Sequence, residues 1–185
     1  MTEETQDEFR SKEDGIRLLT LGEIMLAQSV FKSTIDYSKV WIHRESYLPF
    51  NLQNINAAMT PNGEIYFRDH CRDDFSQSTD HMQHMFIHEM SHVWQRERGM
   101  NVICRGLVSW LVSYRYTLDG RLLSEYSMEQ QAQTIADNFI LQTFGYEIWS
   151  HLENQKYPDI TLDGDISEAV IRAGYRAALR GSHGE

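Results

Sequence analysis

The residues with the clearest chemical potential form the short motif HEMSH, at positions 88–92. On an α-helix, residues four positions apart lie on one face about 6 Å apart, so His88 and His92 can bind one tetrahedral metal ion. Glu89 lies beside that face, where its carboxylate can act as a general base instead of binding the metal. The spacing predicts a zinc site with hydrolytic chemistry, against the alternative of two hydrogen-bonded structural histidines.

Chance is a poor explanation of this motif. HExxH is expected roughly 0.03 times in a random chain of this length and composition. The helical pattern around the motif adds support, because an apolar stripe lies opposite the histidines, formed by Met82, Phe86, Met90 and Val93. One dry face and one face of ligands are what a metal-binding helix requires.

A catalytic zinc ion needs a third protein ligand. No histidine follows His92 at a suitable spacing, so a downstream acid must supply the ligand. Glu97 points away from the histidines, and Asp119 precedes a glycine in a turn. Glu129 is favoured because it begins a second amphipathic helix whose next residues are small or polar and would allow close approach. Glu125 is the alternative ligand, and Glu129 has the alternative role of stabilising the N-terminus of its own helix.

Other polar residues near the motif have less specific roles. His84 is a candidate substrate contact or a plain polar surface residue, and His81 is expected at the surface. Asp137 is either a residue that orients a ligand histidine or a solvated or capping acid. Tyr126 or His84 is a candidate donor to a developing oxyanion, although packing beside the metal helix is the commoner role of a tyrosine.

Local patterns predict the helices that must position these residues. Thr20 and Glu23 have capping-box spacing before a helix over 21–32, and Ser127 and Gln130 have it before a helix that ends on Gly145. The metal helix is bounded by Ser78, Thr79 or Asp80 as its cap and by Gly99 after Arg98. The apolar segment 107–116 is assigned as helix, and a last helix is predicted over 166–180.

Short β-branched segments predict a small antiparallel sheet. The segment IDYSKVWIH is typical of a strand, and NINAAMT and EIYFR read as two strands joined by a tight PNG turn. The predicted fold is therefore α+β, with a small antiparallel sheet packed on the HExxH helix and further helices toward the C-terminus.

The composition is that of one acidic globular domain. The 185 residues carry a formal net charge of −10, which makes a nucleic-acid partner unexpected. Residues 1–14 contain six acids and two bases and are predicted to form an acidic flexible tail. We expect a single domain over 15–181 and a short tail over 182–185.

Compartment signals are few. The longest apolar stretches fall short of the about 20 residues that cross a bilayer, so no membrane span is expected. The acidic N-terminus is not followed by the apolar core of a secretory signal, so no signal peptide is expected. Cys71 and Cys104 stand far apart without CxxC spacing and are read as unpaired thiols rather than a disulfide.

Several segments together resemble the zinc metallopeptidase domains found at the C-termini of some type VI secretion spike proteins of the VgrG type and in related bacterial toxin effectors. The segments span about residues 19–140 and are, in order, LTLGEIMLAQSVF, IDYSKVWIH, PNGEIYF, FIHEMSHVWQ and MEQQAQTIADNF. The specific pair is FIHEMSHVWQ with the later EQQA. The other segments support the resemblance.

The resemblance implies a zincin-like α+β fold in which His88, His92 and Glu129 bind Zn²⁺ in the gluzincin manner and Glu89 is the catalytic base. It also implies an antibacterial toxin that a type VI secretion machine delivers and that acts on a peptide or protein substrate in the periplasm of the target cell. The implied partners are an immunity protein in the producing cell and a secretion spike or other delivery protein.

Two other readings stay open at the level of sequence. One is a non-catalytic, zincin-like binding module whose metal is structural. The other is a zinc hydrolase, such as an esterase or deacetylase, that acts on a non-peptide substrate. The chain begins with methionine and an acidic tail whereas the family domain is often fused to a spike, so we expect either a free-standing effector or an excised domain.

Overall fold

The computed structural model describes residues 15–48, 58–102, 113–155 and 159–182. The α-helices in these ranges are α1 (Leu21–Phe31), α2 (Asp80–Glu97), α3 (Met128–Thr143), α4 (Tyr146–Glu153) and α5 (Glu168–Ala178). The strands are short: β1 (Ile16–Leu18), β2 (Trp41–His43), β3 (Ile65–Tyr66), β4 (Tyr116–Thr117) and β5 (Leu162–Asp163). The mixed α+β class is confirmed. None of the helices in the described ranges has the length and apolar character needed to span a bilayer.

The strands form two small sheets. One has the order β1-β2-β3, and the other pairs β4 with β5. The prediction of a wholly antiparallel sheet is wrong, because β1 and β2 run antiparallel whereas β2 pairs parallel with β3 and β4 pairs parallel with β5. Residues 44–64 separate β2 from β3, which allows β3 to enter the sheet in the same direction as β2. Of the predicted hairpin, Met59 forms an antiparallel bridge with Tyr66, and residues 51–57 lie outside the described ranges.

The predicted helix ends follow local chemistry. Thr79 caps α2, Gly99 follows it with a φ of 83°, and capping boxes start α1 and α3 as predicted. Gly145 was predicted only as the end of α3, but it is also the residue from which α4 begins. The helix predicted over 107–116 is wrong at Tyr116, which lies in β4, and residues 107–112 are outside the described part.

The described ranges include only some of the residues in the predicted tails and only one of the two cysteines. Residues 1–14 and 183–185 lie outside the described ranges, so the division into two tails and one domain stays a prediction. Cys71 is a buried free thiol, and Cys104 also lies outside these ranges. Burial raises the pKa of the Cys71 thiol, which keeps it protonated and unreactive.

A buried carboxylate organises the N-terminal half of the fold. Glu23 is fully buried and accepts two hydrogen bonds from the Arg17 guanidinium, each 2.7 Å long. It also accepts the backbone N–H groups of Thr20 and Phe75, each at 2.9 Å. The capping glutamate of α1 therefore also ties β1 and the loop before α2 to that helix, and a full set of donors offsets the cost of burying its charge.

Aromatic side chains connect the first sheet to α2. The ring centroid of Phe67, just after β3, lies 4.3 Å from that of Phe75, which in turn lies 5.3 Å from that of Phe86 on α2. Ile42 and Ile65 of the sheet belong to the same buried cluster. The Phe75 ring thus lies between the segment that follows β3 and the Phe86 side of α2.

A buried polar network joins α2 to α3 and α5. Asp137 on α3 contacts His84 Nε2 and the Tyr116 hydroxyl, each at 2.7 Å, and accepts a 2.8 Å hydrogen bond from Gln133. The Tyr116 hydroxyl also lies 2.7 Å from that of Tyr175 on α5. Because Tyr116 donates its one proton to Asp137, Tyr175 must donate to Tyr116. Burial raises the pKa of both hydroxyls well above the ordinary tyrosine value, so both remain protonated donors.

Replacing Asp137 with alanine should remove the shared acceptor, so that His84 Nε2 loses its partner and the Tyr116 hydroxyl loses the group to which it donates. We expect the free energy of unfolding to fall by roughly 3–5 kcal/mol, measured by chemical denaturation. The matched control is Asn138→Ala on the same helix, which removes only an exposed hydrogen bond from Gln142 and should change stability by less than about 0.5 kcal/mol. Equal losses in the two variants would show that the network adds nothing.

Candidate metal centre

Two capped helices bring the predicted ligands together. Thr79 accepts the Met82 N–H at the start of α2, and this helix carries His88 and His92 on one face. Ser127 accepts the Gln130 N–H at the start of α3, which places Glu129 in the first turn. Because side-chain caps fix both helix starts, the position of each ligand along its own helix is defined locally.

The three side chains form a compact, buried cluster. His88, His92 and Glu129 each offer one ligand atom, and these atoms all lie within 4.8 Å of one another. Glu129 Oε2 is 3.4 Å from His88 Nε2 and 3.2 Å from His92 Nε2. Ligand atoms about 2.0–2.1 Å from a tetrahedral zinc ion are about 3.3 Å apart. The two oxygen–nitrogen separations match this value, and two imidazole nitrogens with one carboxylate oxygen are a donor set that fits zinc.

The charges of the cluster are coupled. Burial lowers the pKa of His92, but its hydrogen bond to Glu129 and the negative charges of Glu129 and Glu89 outweigh burial and raise that pKa to about 9. Burial acts to raise the pKa of Glu129, but hydrogen bonds from His88 and His92 hold it far below its usual value. The carboxylate is therefore ionised at neutral pH, as a metal ligand must be.

Gln95 fixes the tautomer that His92 needs to bind a metal. The Gln95 amide nitrogen donates to Met128 O at 2.8 Å, so its Oε1 must be an acceptor. That oxygen lies 2.8 Å from His92 Nδ1, which must therefore carry a proton. Once the Nε2 proton is lost, the Nε2 lone pair faces the cluster. An outer hydrogen bond of this kind orients a ligand imidazole and increases its basicity.

Glu89 lies next to the cluster without joining it. It is buried, its charge acts on His92, and its carboxylate accepts a hydrogen bond from the Thr60 hydroxyl. The structure therefore places the predicted base beside the three candidate ligands. This is the arrangement in which a carboxylate can exchange a proton with a reacting group at the metal.

The other acids considered as ligands lie away from the cluster. Glu125 is exposed, and its carboxylate accepts the N–H of Leu122 at 2.7 Å. Glu97 is exposed at the end of α2, and Asp119 forms an exposed ion pair with Arg121. Of the described acids that were considered as the third ligand, Glu129 is the one that lies with His88 and His92, as the sequence argument favoured.

Four further predictions concern polar residues near the motif. His84 is buried, so its reading as a polar surface residue is wrong, and Asp137 contacts His84 rather than a ligand histidine. The Tyr126 hydroxyl donates to Thr117 O at 2.6 Å, which makes it a packed tyrosine and not an oxyanion donor. His81, expected at the surface, has a side chain that is 40% exposed and lies 2.7 Å from Asp159.

Three residues near the cluster were not predicted from the sequence. Gln95 could have been found, because a polar residue three positions after a helical ligand lies on the same face. Thr60 and Tyr114 have no spacing that links them to HEMSH. The Tyr114 ring centroid lies 5.9 Å from that of His88, and the side chain is 39% exposed, so it borders the cluster on a side open to solvent.

Comparison with known proteins gives two matches and one negative result. No protein-family profile matches the chain. The chain is 41% identical over 133 residues to the type VI secretion system spike protein VgrG2b of Pseudomonas aeruginosa, a match that covers 67% of this chain and 13% of the spike protein. It also superposes on the solved effector domain of P. aeruginosa VgrG2b with a TM-score of 0.61 and 33% identity, covering 86% of this chain and 94% of that domain.

The chain belongs to the VgrG2b effector-domain family. This similarity supports a role as a VgrG-associated type VI secretion effector domain. The chain corresponds to a small part of the VgrG2b spike, since it spans 13% of that protein's length. The buried cluster of His88, His92 and Glu129 on α2 and α3 is the feature of this domain from which we predict its chemistry.

Zinc content should distinguish the two candidate third ligands. We expect about one zinc ion per chain by elemental analysis of the wild-type protein, and loss of most of that zinc in Glu129→Ala because one of three ligands is removed. Glu125→Ala is the matched control, since it removes an exposed glutamate four positions earlier, and it should retain zinc. The reverse pattern would assign the ligand to Glu125.

Zinc binding should release protons. Because the pKa of His92 is raised to about 9, its imidazole is largely protonated at pH 7, and a ligand imidazole must lose that proton. Titration calorimetry of metal-free protein at pH 7, in buffers of different ionisation enthalpy, should report release of about one proton per zinc. The number should fall toward zero as the pH approaches 10. A binding enthalpy that is the same in all buffers at pH 7 would rule out this charge state.

Proposed function

We propose that this domain is a zinc-dependent metallopeptidase. The observation that carries the proposal is the buried cluster of His88, His92 and Glu129 with the Glu89 carboxylate beside it. A structural zinc site is normally closed by four protein ligands, whereas the described ranges of the chain bring three to this cluster. A set of three ligands beside a buried carboxylate supports a catalytic role over that of a non-catalytic binding module.

The proposed mechanism uses zinc as a Lewis acid. When bound, zinc would polarise the scissile carbonyl and lower the pKa of water at the site. Glu89 then accepts a proton from the attacking water and delivers it to the nitrogen of the leaving amine, so that one carboxylate serves as base and then as acid. Gln95 keeps His92 in its ligand tautomer, and Tyr114 borders the exposed side of the cluster, where substrate can approach.

The proposed biological role follows from the similarity to VgrG2b. We infer that the domain is an antibacterial effector that travels with a type VI secretion spike, acts in the periplasm of the target cell and is neutralised by an immunity protein in the producing cell. The matches to the VgrG2b spike and its effector domain support delivery and association with the spike. The periplasmic site of action, the immunity protein and a peptide or protein as the substrate are parts of the proposal.

Replacing the proposed base should separate catalysis from metal binding. Glu89→Gln should keep about one zinc per chain, because the ligands remain, and should lose at least roughly 100-fold in hydrolysis of a denatured protein or a peptidoglycan peptide. Amine release over time measures the rate.

The matched control is Glu97→Gln, which changes an exposed glutamate on the same helix and should leave the rate unchanged. Hydrolysis by Glu89→Gln at the wild-type rate would refute the assignment of the base. Zinc-loaded wild-type protein that cleaves an ester but no amide would refute the peptidase and favour the other hydrolase class.

A further inference from the structure

Thr60 contacts the proposed catalytic base from outside α2. Its hydroxyl donates a 2.6 Å hydrogen bond to Glu89 Oε2, although 29 positions separate the two residues in the sequence. Thr60 is 4% exposed and Glu89 is 6% exposed, so water competes little for this bond. A hydroxyl bound to a buried carboxylate at this distance is a strong, charge-assisted contact.

Thr60 has a backbone anchor before it and a closely approached side chain after it. The preceding residue, Met59, exchanges two backbone hydrogen bonds with Tyr66, 3.1 and 2.9 Å long. The turn that follows lies against α2, because a Cβ atom at Gly63 would be 2.7 Å from Arg96 Nη1, and Gly63 has a φ of 82° that favours glycine. The hydroxyl is therefore presented to Glu89 by a segment that is hydrogen-bonded to β3 and lies against the Arg96 side chain of α2.

The chemistry of a general base gives this contact a consequence. A glutamate side chain has several rotatable bonds, and its carboxylate can turn either oxygen toward a reacting group. A hydrogen bond to Oε2 restricts that rotation and leaves Oε1 as the oxygen that accepts and returns a proton. A base held in one orientation needs less reorganisation during the reaction, which lowers the barrier without changing how substrate binds.

We propose that Thr60 is a positioning residue that orients the Glu89 carboxylate for proton transfer. The inference rests on the proposed hydrolase function, and it adds a residue to which neither the HExxH motif nor the ligand set points. A purely structural role, in which Thr60 only satisfies a buried carboxylate, would affect stability alone. The two roles differ in their effect on kcat.

The test compares three variants of the full chain, each loaded with zinc. Thr60→Val removes the hydroxyl and keeps the shape, Thr60→Ser keeps the hydroxyl, and Thr134→Val removes a buried hydroxyl that donates to a backbone carbonyl of α3 instead. We expect Thr60→Val to keep its zinc and lose roughly 10–100-fold in kcat with little change in KM. Thr60→Ser should recover most of the lost rate, and Thr134→Val should match the wild type in kcat.

Melting temperatures of the metal-free proteins provide a readout that does not depend on activity. Thr60→Val should lower the melting temperature in the presence of Glu89 and should have less effect in a Glu89→Leu background, where the hydrogen bond is already absent. Equal effects in both backgrounds would overturn the proposal, because the hydrogen bond between Thr60 and Glu89 would then contribute nothing to stability. If Thr60→Val does not fold, Thr60→Ala takes its place in both experiments.

The outcomes separate this inference from the function on which it rests. Wild-type protein that carries zinc but hydrolyses no amide refutes the proposed peptidase, and with it the role of Thr60 in catalysis. Wild-type hydrolysis together with an unchanged kcat in Thr60→Val refutes only the positioning role. A loss in Thr60→Val that Thr60→Ser does not recover also refutes it, since the hydroxyl would then not be the group that matters.

Discussion

The packing of α2 against α3 is the constraint on which the candidate site depends. The two helices run antiparallel, and buried polar contacts join them on either side of the ligand cluster: Gln95 binds the first turn of α3, and His84 binds Asp137 farther along that helix. Apolar packing alone would allow the helices to slide or rotate at small cost, whereas buried hydrogen bonds have one correct partner. The ligand atoms can therefore converge although they come from helices distant in sequence.

Two buried carboxylates, those of Glu23 and Glu129, are each stabilised by several hydrogen-bond donors or cationic groups. Glu23 is fully buried and surrounded by donors from Arg17 and two backbone N–H groups, and Glu129 is buried against two imidazoles. In both places an ionised carboxylate is kept inside the protein by groups that compensate its charge. The chain as a whole carries an excess of acids, so these compensated sites differ from its solvated surface. The first of them organises the N-terminal half, and the second is the candidate metal centre.

Features governed by near neighbours in sequence could be predicted, and features governed by tertiary contacts could not. The helix starts at Thr20, Thr79 and Ser127 follow from cap chemistry within three residues, and the pairing of His88 with His92 follows from the helical repeat. Amphipathic patterning was enough to favour Glu129 over Glu125. These signals are local or periodic, and both kinds can be recognised in a sequence without knowledge of the fold.

The missed features involve partners far apart in the chain. Thr60 meets Glu89, and Asp137 meets Tyr116, only because the fold brings them together. The parallel pairing of β2 with β3 is likewise a tertiary contact, which the turn signal at Pro61 and Gly63 could not predict. A strand pattern gives the faces of a strand but not the direction of its neighbour.

Tyr175 connects the last helix to this interior. Its hydroxyl is the outermost donor of a chain that passes through Tyr116 and Asp137 to His84, one turn before the first candidate ligand. The C-terminal helix is thus part of the scaffold of the metal helices rather than an appendage. Recombination that exchanged this helix between related effectors would have to keep a hydroxyl at position 175 or refill the space with matching shape. A hybrid that did neither would carry intact ligands on a weakened support.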